Sequence, residues 1–111
     1  VIHESKKFID INLTTDPVNA IKNADVVVTD TYSSIHNDDL KRINKFLPKY
    51  QITQTLMNNA QRDAIFMHCL PAKRESEVTS SVIDGPQSVV WDEAENRLHT
   101  QKALLTSLIR A

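Results

Sequence analysis

The sequence predicts an α/β fold, a parallel sheet with flanking helices. Three observations lead there. Apolar β-branched segments alternate with segments of helical spacing along most of the chain. Ala24-Asp25-Val26-Val27-Val28-Thr29 is a continuous β-branched run, the pattern of a parallel strand buried on both faces. Ala64-Ile65-Phe66-Met67 is a short apolar run, and it stops at His68-Cys69-Leu70, where Pro71 forbids the strand from continuing.

The elements follow in order. Phe8 to Leu13 is β-branched and partly alternating, which predicts a strand. Asp16 suits an N-cap and Pro17 the first helical position, opening a short helix to about Asn23. The strand over 24–29 comes next and ends in the polar stretch Asp30 to Ser34. Asn37 is placed to cap a helix with Asp38 and Asp39 in its first turn, and Leu40, Ile43, Phe46 and Leu47 give that helix its apolar spacing before Pro48 ends it. A short helix is expected over 53–59, then the strand over 64–68. Residues 72–86 read as loop, with one helical turn near Ser80 to Ile83 closed by Gly85-Pro86. Ser88 to Trp91 predicts a further strand with Trp91 in the core. Asp92 to Glu95 has capping-box spacing and opens a C-terminal helix, whose apolar stripe is Ala94, Leu98, Leu105, Leu108 and Ile109.

Composition narrows the function. A chain of 111 residues forms one domain at most. A hydrophobic content of 41% with 24% charged residues is that of a soluble globular protein. A formal net charge of −1 offers no basic excess for nucleic acid. No apolar run reaches membrane-spanning length, and the N-terminus lacks the layout of a signal peptide. One cysteine rules out an internal disulfide framework and fits a reducing compartment, so the cytoplasm is expected. Gly85 is the single glycine, where an average chain of this length carries about eight. A glycine-rich phosphate loop is therefore impossible.

Ligand sites in parallel sheets lie outside the carboxyl ends of the strands. Three strand ends are polar here: Asp30 to Ser34, His68 to Pro71, and Asp92 to Arg97. Each residue has a plain reading beside a functional one. Cys69 is a nucleophile, a metal ligand, a substrate contact or a small buried hydrophobe. Metal binding is the weakest of these, because His3, His36 and His99 are scattered and no CxxC or HxxxH pair exists. Arg97 is either a solvated helix residue near the start of its helix or an anion clamp. Asp30 is either a turn residue or the partner of a substrate ammonium group.

His68-Cys69-Leu70-Pro71, combined with Asp92-Glu93-Ala94-Glu95-Asn96-Arg97, resembles the ornithine carbamoyltransferase family. Ala24 to Thr31 is similar to that family's strand leading into its amino-acid-binding loop, and the likeness runs from about Phe8 to Ile109. Aspartate carbamoyltransferases have proline where Cys69 stands, so the thiol points to the ornithine branch. The resemblance implies a Rossmann-like sheet, and a reaction in which the δ-amine of ornithine attacks carbamoyl phosphate to give citrulline and phosphate, in arginine metabolism. It implies no metal and no organic cofactor. Cys69 and the Leu70 carbonyl would hold the δ-amine. Arg97 and His68 would contact carbamoyl phosphate. Asp30 would bind the α-amino group, with Ser34 and Ile35 in the loop that closes over the amino acid. Carbamoyl phosphate and ornithine are then the partners, with no nucleic acid or membrane, and the full-length enzyme would be a homotrimer.

Two departures from the family pattern stand out. The family's loop reads Asp-x-x-x-Ser-Met-Gly, and here Ile35 and His36 replace its methionine and glycine. Its carbamoyl-phosphate domain carries a Ser-x-Arg-Thr motif that this chain does not contain. Residues 1–111 are thus expected to be the C-terminal portion of the ornithine-binding domain, with the sheet incomplete at its N-terminal end, the carbamoyl-phosphate domain absent and the chain inactive alone. The alternatives are a carbamoyltransferase for another amine, such as putrescine or an acylated ornithine, and a non-catalytic remnant or assembly module.

Overall fold

The computed structural model describes residues 2–32 and 40–109, except for the side chains of residues 2, 3, 40 and 42. The elements are α1 (Ile2–Ser5), α2 (Pro17–Ile21), β1 (Val26–Thr29), α3 (Leu40–Phe46), α4 (Gln54–Met57), β2 (Ile65–His68), α5 (Ser80–Ile83) and α6 (Val90–Ile109). β1 and β2 pair in parallel, with Val26 opposite Ile65 and Thr29 opposite His68. On the other side of β2, Phe66 N–H donates to the Gln87 carbonyl at 2.7 Å and Val89 N–H donates to the Phe66 carbonyl at 3.0 Å. β2 is therefore flanked on both sides, and Phe66 lies fully buried at the centre of the core.

Local chemistry accounts for the helices. Asp16 accepts Val18 N–H at 3.0 Å to cap α2, and Pro17 takes its first position. Thr53 accepts Leu56 N–H at 3.1 Å to cap α4. Ile21, Leu56, Met57, Val82 and Ile83 bring α2, α4 and α5 onto Phe66 and Val27. Burying each large side chain stabilises the fold by about 1.5–3 kcal/mol. α5 stops at Gly85, whose N–H donates to the Val82 carbonyl at 3.1 Å. A Cβ at this position would overlap the Ser81 carbonyl oxygen, so the absent side chain is what lets the chain pass.

Four expectations are corrected. Residues 8–13 form no strand. Phe8 and Ile9 N–H both turn back to the Ser5 carbonyl, and no described strand offers the segment a ladder. The run at β1 is not buried on both faces: Val27 is buried, but Val26 is 47% and Val28 65% exposed. The strand expected over 88–91 shrinks to a bridge at Ser88. Having capped Phe66, the backbone turns into a helix when the Val89 carbonyl accepts Glu93 N–H at 2.9 Å. Helix α6 thus begins at Val90, two residues before the predicted capping box, with Asp92 and Glu93 in its first turn, where the helix dipole favours them. Finally, Trp91 is 59% exposed rather than core, because Val90 takes the buried position beside it. The stripe Leu98, Leu105, Leu108 and Ile109 is likewise exposed along α6. The cap expected at Asn37 and its acidic first turn lie outside the described residues. Among the described residues no helix is long and apolar enough to cross a membrane.

Candidate active site

The sheet register builds the site. Thr29 pairs with His68, so the next residue of each strand, Asp30 and Cys69, leaves the sheet side by side. The Cys69 thiol donates to Asp30 Oδ1 at 3.2 Å, and Thr31 N–H donates to the same oxygen at 2.7 Å. These two donors hold the Asp30 carboxyl below the usual carboxylate range, against a small opposing effect of burial. The same hydrogen bond pushes the Cys69 thiol above its ordinary value, helped by burial and by the charges of Asp30 and Glu93. Cys69 is accordingly a protonated, exposed thiol at neutral pH. That weighs against a thiolate nucleophile, which requires cationic surroundings.

The backbone after Cys69 is shaped from below. Leu70 has φ 51°, in the left-handed region that leucine rarely enters. Its N–H donates to His68 Nδ1 at 2.9 Å. His68 N–H in turn donates to Glu93 Oε2 at 3.0 Å, tying the end of β2 to the first turn of α6. The His68 ring is 1% exposed, with Nδ1 committed to Leu70 and Nε2 facing Glu77 at 3.3 Å. His68 also lines the larger of two clefts that Cys69 borders. Its geometry is that of a support for the turn.

Arg97 completes the site from α6. Because the helix starts at Val90, Arg97 lies two turns in rather than at the helix start. It borders two clefts that Cys69 also borders. One, of about 600 Å³, is lined by Met67, His68 and Glu93; the other, of about 520 Å³, by Leu70, Pro71, Arg74 and Trp91. Among the described residues Arg97 has no carboxylate within ion-pair distance, so its guanidinium is available to an anion. A separate apolar groove of about 370 Å³ runs along β1, lined by Val26, Val28, Tyr32 and Tyr50, away from these groups.

The structure therefore brings together Asp30, Cys69, Leu70 and Arg97, with His68 beneath them. Ser34, Ile35 and His36 lie outside the described residues. Among the described residues no cluster of His, Cys, Asp and Glu is arranged to hold a metal ion. Sequence reasoning missed Glu77, the fully buried carboxylate under the site. Nothing in its neighbourhood separates it from exposed Glu75 two positions earlier.

Asp30 and Cys69 thus meet at adjacent strand ends of a parallel α/β domain, the usual place for a ligand in such sheets, and Arg97 on α6 borders the clefts that Cys69 also borders. The chain belongs to the aspartate/ornithine carbamoyltransferase family: residues 2–108 match that family's Asp/Orn binding domain. It is 62% identical over 108 residues to an ornithine carbamoyltransferase of Cenarchaeum symbiosum, covering 97% of this chain and 36% of that protein. The ornithine carbamoyltransferase structure from Pyrococcus furiosus superposes with a TM-score of 0.74 at 50% identity, over 81% of this chain and 29% of that one. The ornithine transcarbamoylase of Giardia lamblia gives a TM-score of 0.79 at 38% identity, over 94% of this chain and 32% of that one. The fold is thus the α/β, Rossmann-like fold of these structures, and the chain spans about a third of the length of the relatives it matches.

Proposed function

We propose that this chain supplies the ornithine side of a carbamoyltransferase site. The observation that carries the reading is the meeting of Cys69 with Asp30 at adjacent strand ends, on clefts that Arg97 also borders. In this reading Asp30 pairs with the α-ammonium of ornithine. Cys69 and the Leu70 carbonyl orient the neutral δ-amine for attack. Its nitrogen bonds to the carbonyl carbon of carbamoyl phosphate, the carbon–oxygen bond to phosphate breaks, and the proton shed by nitrogen leaves on phosphate. Arg97 holds oxygens of carbamoyl phosphate, where negative charge grows in the tetrahedral intermediate. Ser34 and Ile35 belong to the loop that closes over the amino acid, and His68 supports the turn. The reaction so written uses no metal or organic cofactor. The family's phosphate-binding Ser-x-Arg-Thr motif does not occur in this sequence; in this reading the complete site belongs to a full-length homotrimeric enzyme, and this chain alone is inactive.

The test is a chimera in which this chain replaces the matching third of the Cenarchaeum symbiosum relative. Citrulline formation from ornithine and carbamoyl phosphate is expected, with little turnover of putrescine or an acylated ornithine. A folded chimera that makes no citrulline, or prefers another amine, sinks the reading.

A further inference from the structure

Glu77 is the one fully buried carboxylate among the described residues, and no step of the proposed reaction uses it. Its backbone is pinned by Ile52 N–H, which donates to the Glu77 carbonyl at 2.9 Å. Its side chain reaches the other way. Oε1 accepts Lys73 N–H at 2.6 Å and lies 3.3 Å from His68 Nε2. The second approach falls outside hydrogen-bond geometry, so neither His68 Nε2 nor Glu77 Oε2 has a hydrogen-bond partner among the described residues, and the two buried groups face each other by proximity. One carboxylate thus touches both ends of the stretch 68–73, which carries Cys69 and Leu70.

Burying a carboxylate so completely is costly unless its contacts repay it. Leucine or methionine would fill the volume at lower cost, so the acceptor oxygens themselves carry the reason for the residue. The His68 ring shows what they do. Nδ1 accepts a hydrogen bond from Leu70, so it carries no proton and the ring proton sits on Nε2, facing Glu77. The acceptor at Glu77 selects this tautomer. The tautomer leaves Nδ1 free to hold Leu70 N–H, and that bond holds leucine in the left-handed conformation that its side chain disfavours.

We infer that Glu77, acting through His68, is the positioning residue that sets the Cys69–Leu70 turn. Its consequence for turnover rests on the carbamoyltransferase reading; its consequence for the geometry of the turn does not.

Two variants separate reach from charge. Glu77→Gln keeps an oxygen acceptor at the same distance, and Glu77→Asp keeps the charge but withdraws it by one methylene. Both are measured where circular dichroism shows them folded. Long-range proton–nitrogen NMR of the His68 ring should give the Nε2–H tautomer in the parent and in E77Q, and a tautomer mixture in E77D. Alkylation of Cys69 by iodoacetamide should quicken roughly tenfold in E77D, the size of about one lost hydrogen bond, and stay near the parent rate in E77Q. In the chimera, E77D should lower kcat/KM for ornithine by roughly a hundredfold with KM for carbamoyl phosphate little changed, and E77Q should recover most of it. E77D with the parent tautomer and thiol rate overturns the inference, as does E77Q that behaves like E77D. A parent chimera without activity sinks the proposed reaction instead, while the tautomer and the thiol rate still judge Glu77.

Discussion

Cys69 donates its thiol proton to Asp30 because Thr29 and His68 are paired one residue earlier. The contact follows from strand register, and register is among the best-specified features of a sheet with a buried face. Slipping β1 by one residue would move Val27 out of the core and part the thiol from the acid together. Stability and site geometry are therefore coupled at this pair.

The pair makes a pH-dependent prediction. Asp30 holds the thiol proton on, so Cys69 should react with iodoacetamide more slowly in the folded chain than in the urea-unfolded chain at the same pH, and its rate should rise at higher pH. Asp30→Asn removes the charge and should speed the folded-state reaction. For stability the two signs bound a window. The lowered Asp30 value contributes above the ordinary carboxylate range and is lost as pH falls through the folded value. The raised Cys69 value contributes below the ordinary thiol range and is lost as pH rises through the folded value. The D30N deficit should therefore be widest near neutral pH and shrink toward both ends, read by urea melts across pH. A deficit that grows with acid contradicts the assignment.

Arg97 makes a second. In the chimera, Arg97→Ala should lower kcat by roughly 10²–10³, the cost of losing one charge-stabilising donor at a developing oxyanion. Cys69→Ala should instead act mainly on ornithine use. Steady-state kinetics with each substrate varied separately distinguishes them, and equal mild effects on both substrates would remove the roles assigned here.

The legible part of the fold was the part with local causes. Pro17 behind Asp16 and Gly85 after Ile83 each act within a few residues, and both mark element boundaries in the structure. The end of β2 was readable for the same reason, since Pro71 stops the strand just past Cys69. What failed depended on distant partners. Phe8 to Leu13 has strand composition, but strand propensity is fit to neighbours, and the described residues give it none. Trp91 looks like core by type, yet Val90 occupies the buried position and helix rotation turns the indole outward. Glu77 was invisible because burial of a carboxylate is decided by the tertiary fold around it.

Phe66 tests the centre of the core. It is fully buried, and its N–H and carbonyl bind the segment on one side of β2 while β1 pairs on the other. Phe66→Ala should destabilise the chain by about 3–5 kcal/mol, through lost burial and the cavity left behind. A small domain holds only about 5–15 kcal/mol in total, so the urea midpoint should fall steeply. A loss of less than about 1 kcal/mol would mean that the sheet is not anchored at this residue.

Gly85 tests a local device near the cleft. Alanine there puts a carbon onto the Ser81 carbonyl oxygen, a backbone atom that moves only if α5 moves. Gly85→Ala should therefore cost about 1–3 kcal/mol, as overpacking does. Thr53→Ala is the control of similar scale: losing the cap on Leu56 N–H should cost about 1 kcal/mol with no clash. The two differ in what else moves. Asp84 precedes Gly85 and receives Arg74 in a paired contact at 2.7 and 3.0 Å, and Arg74 lines the cleft beside Leu70. A shift of α5 in G85A should carry Asp84 and Arg74 with it, so amide chemical-shift changes should extend from residues 80–86 to the 70–74 turn. In T53A they should stay around α4 and the neighbouring 77–79 strand bridge. Urea melts and amide spectra of both variants make the comparison, and G85A spectra unchanged beyond α5 would show that the turn is held independently of it.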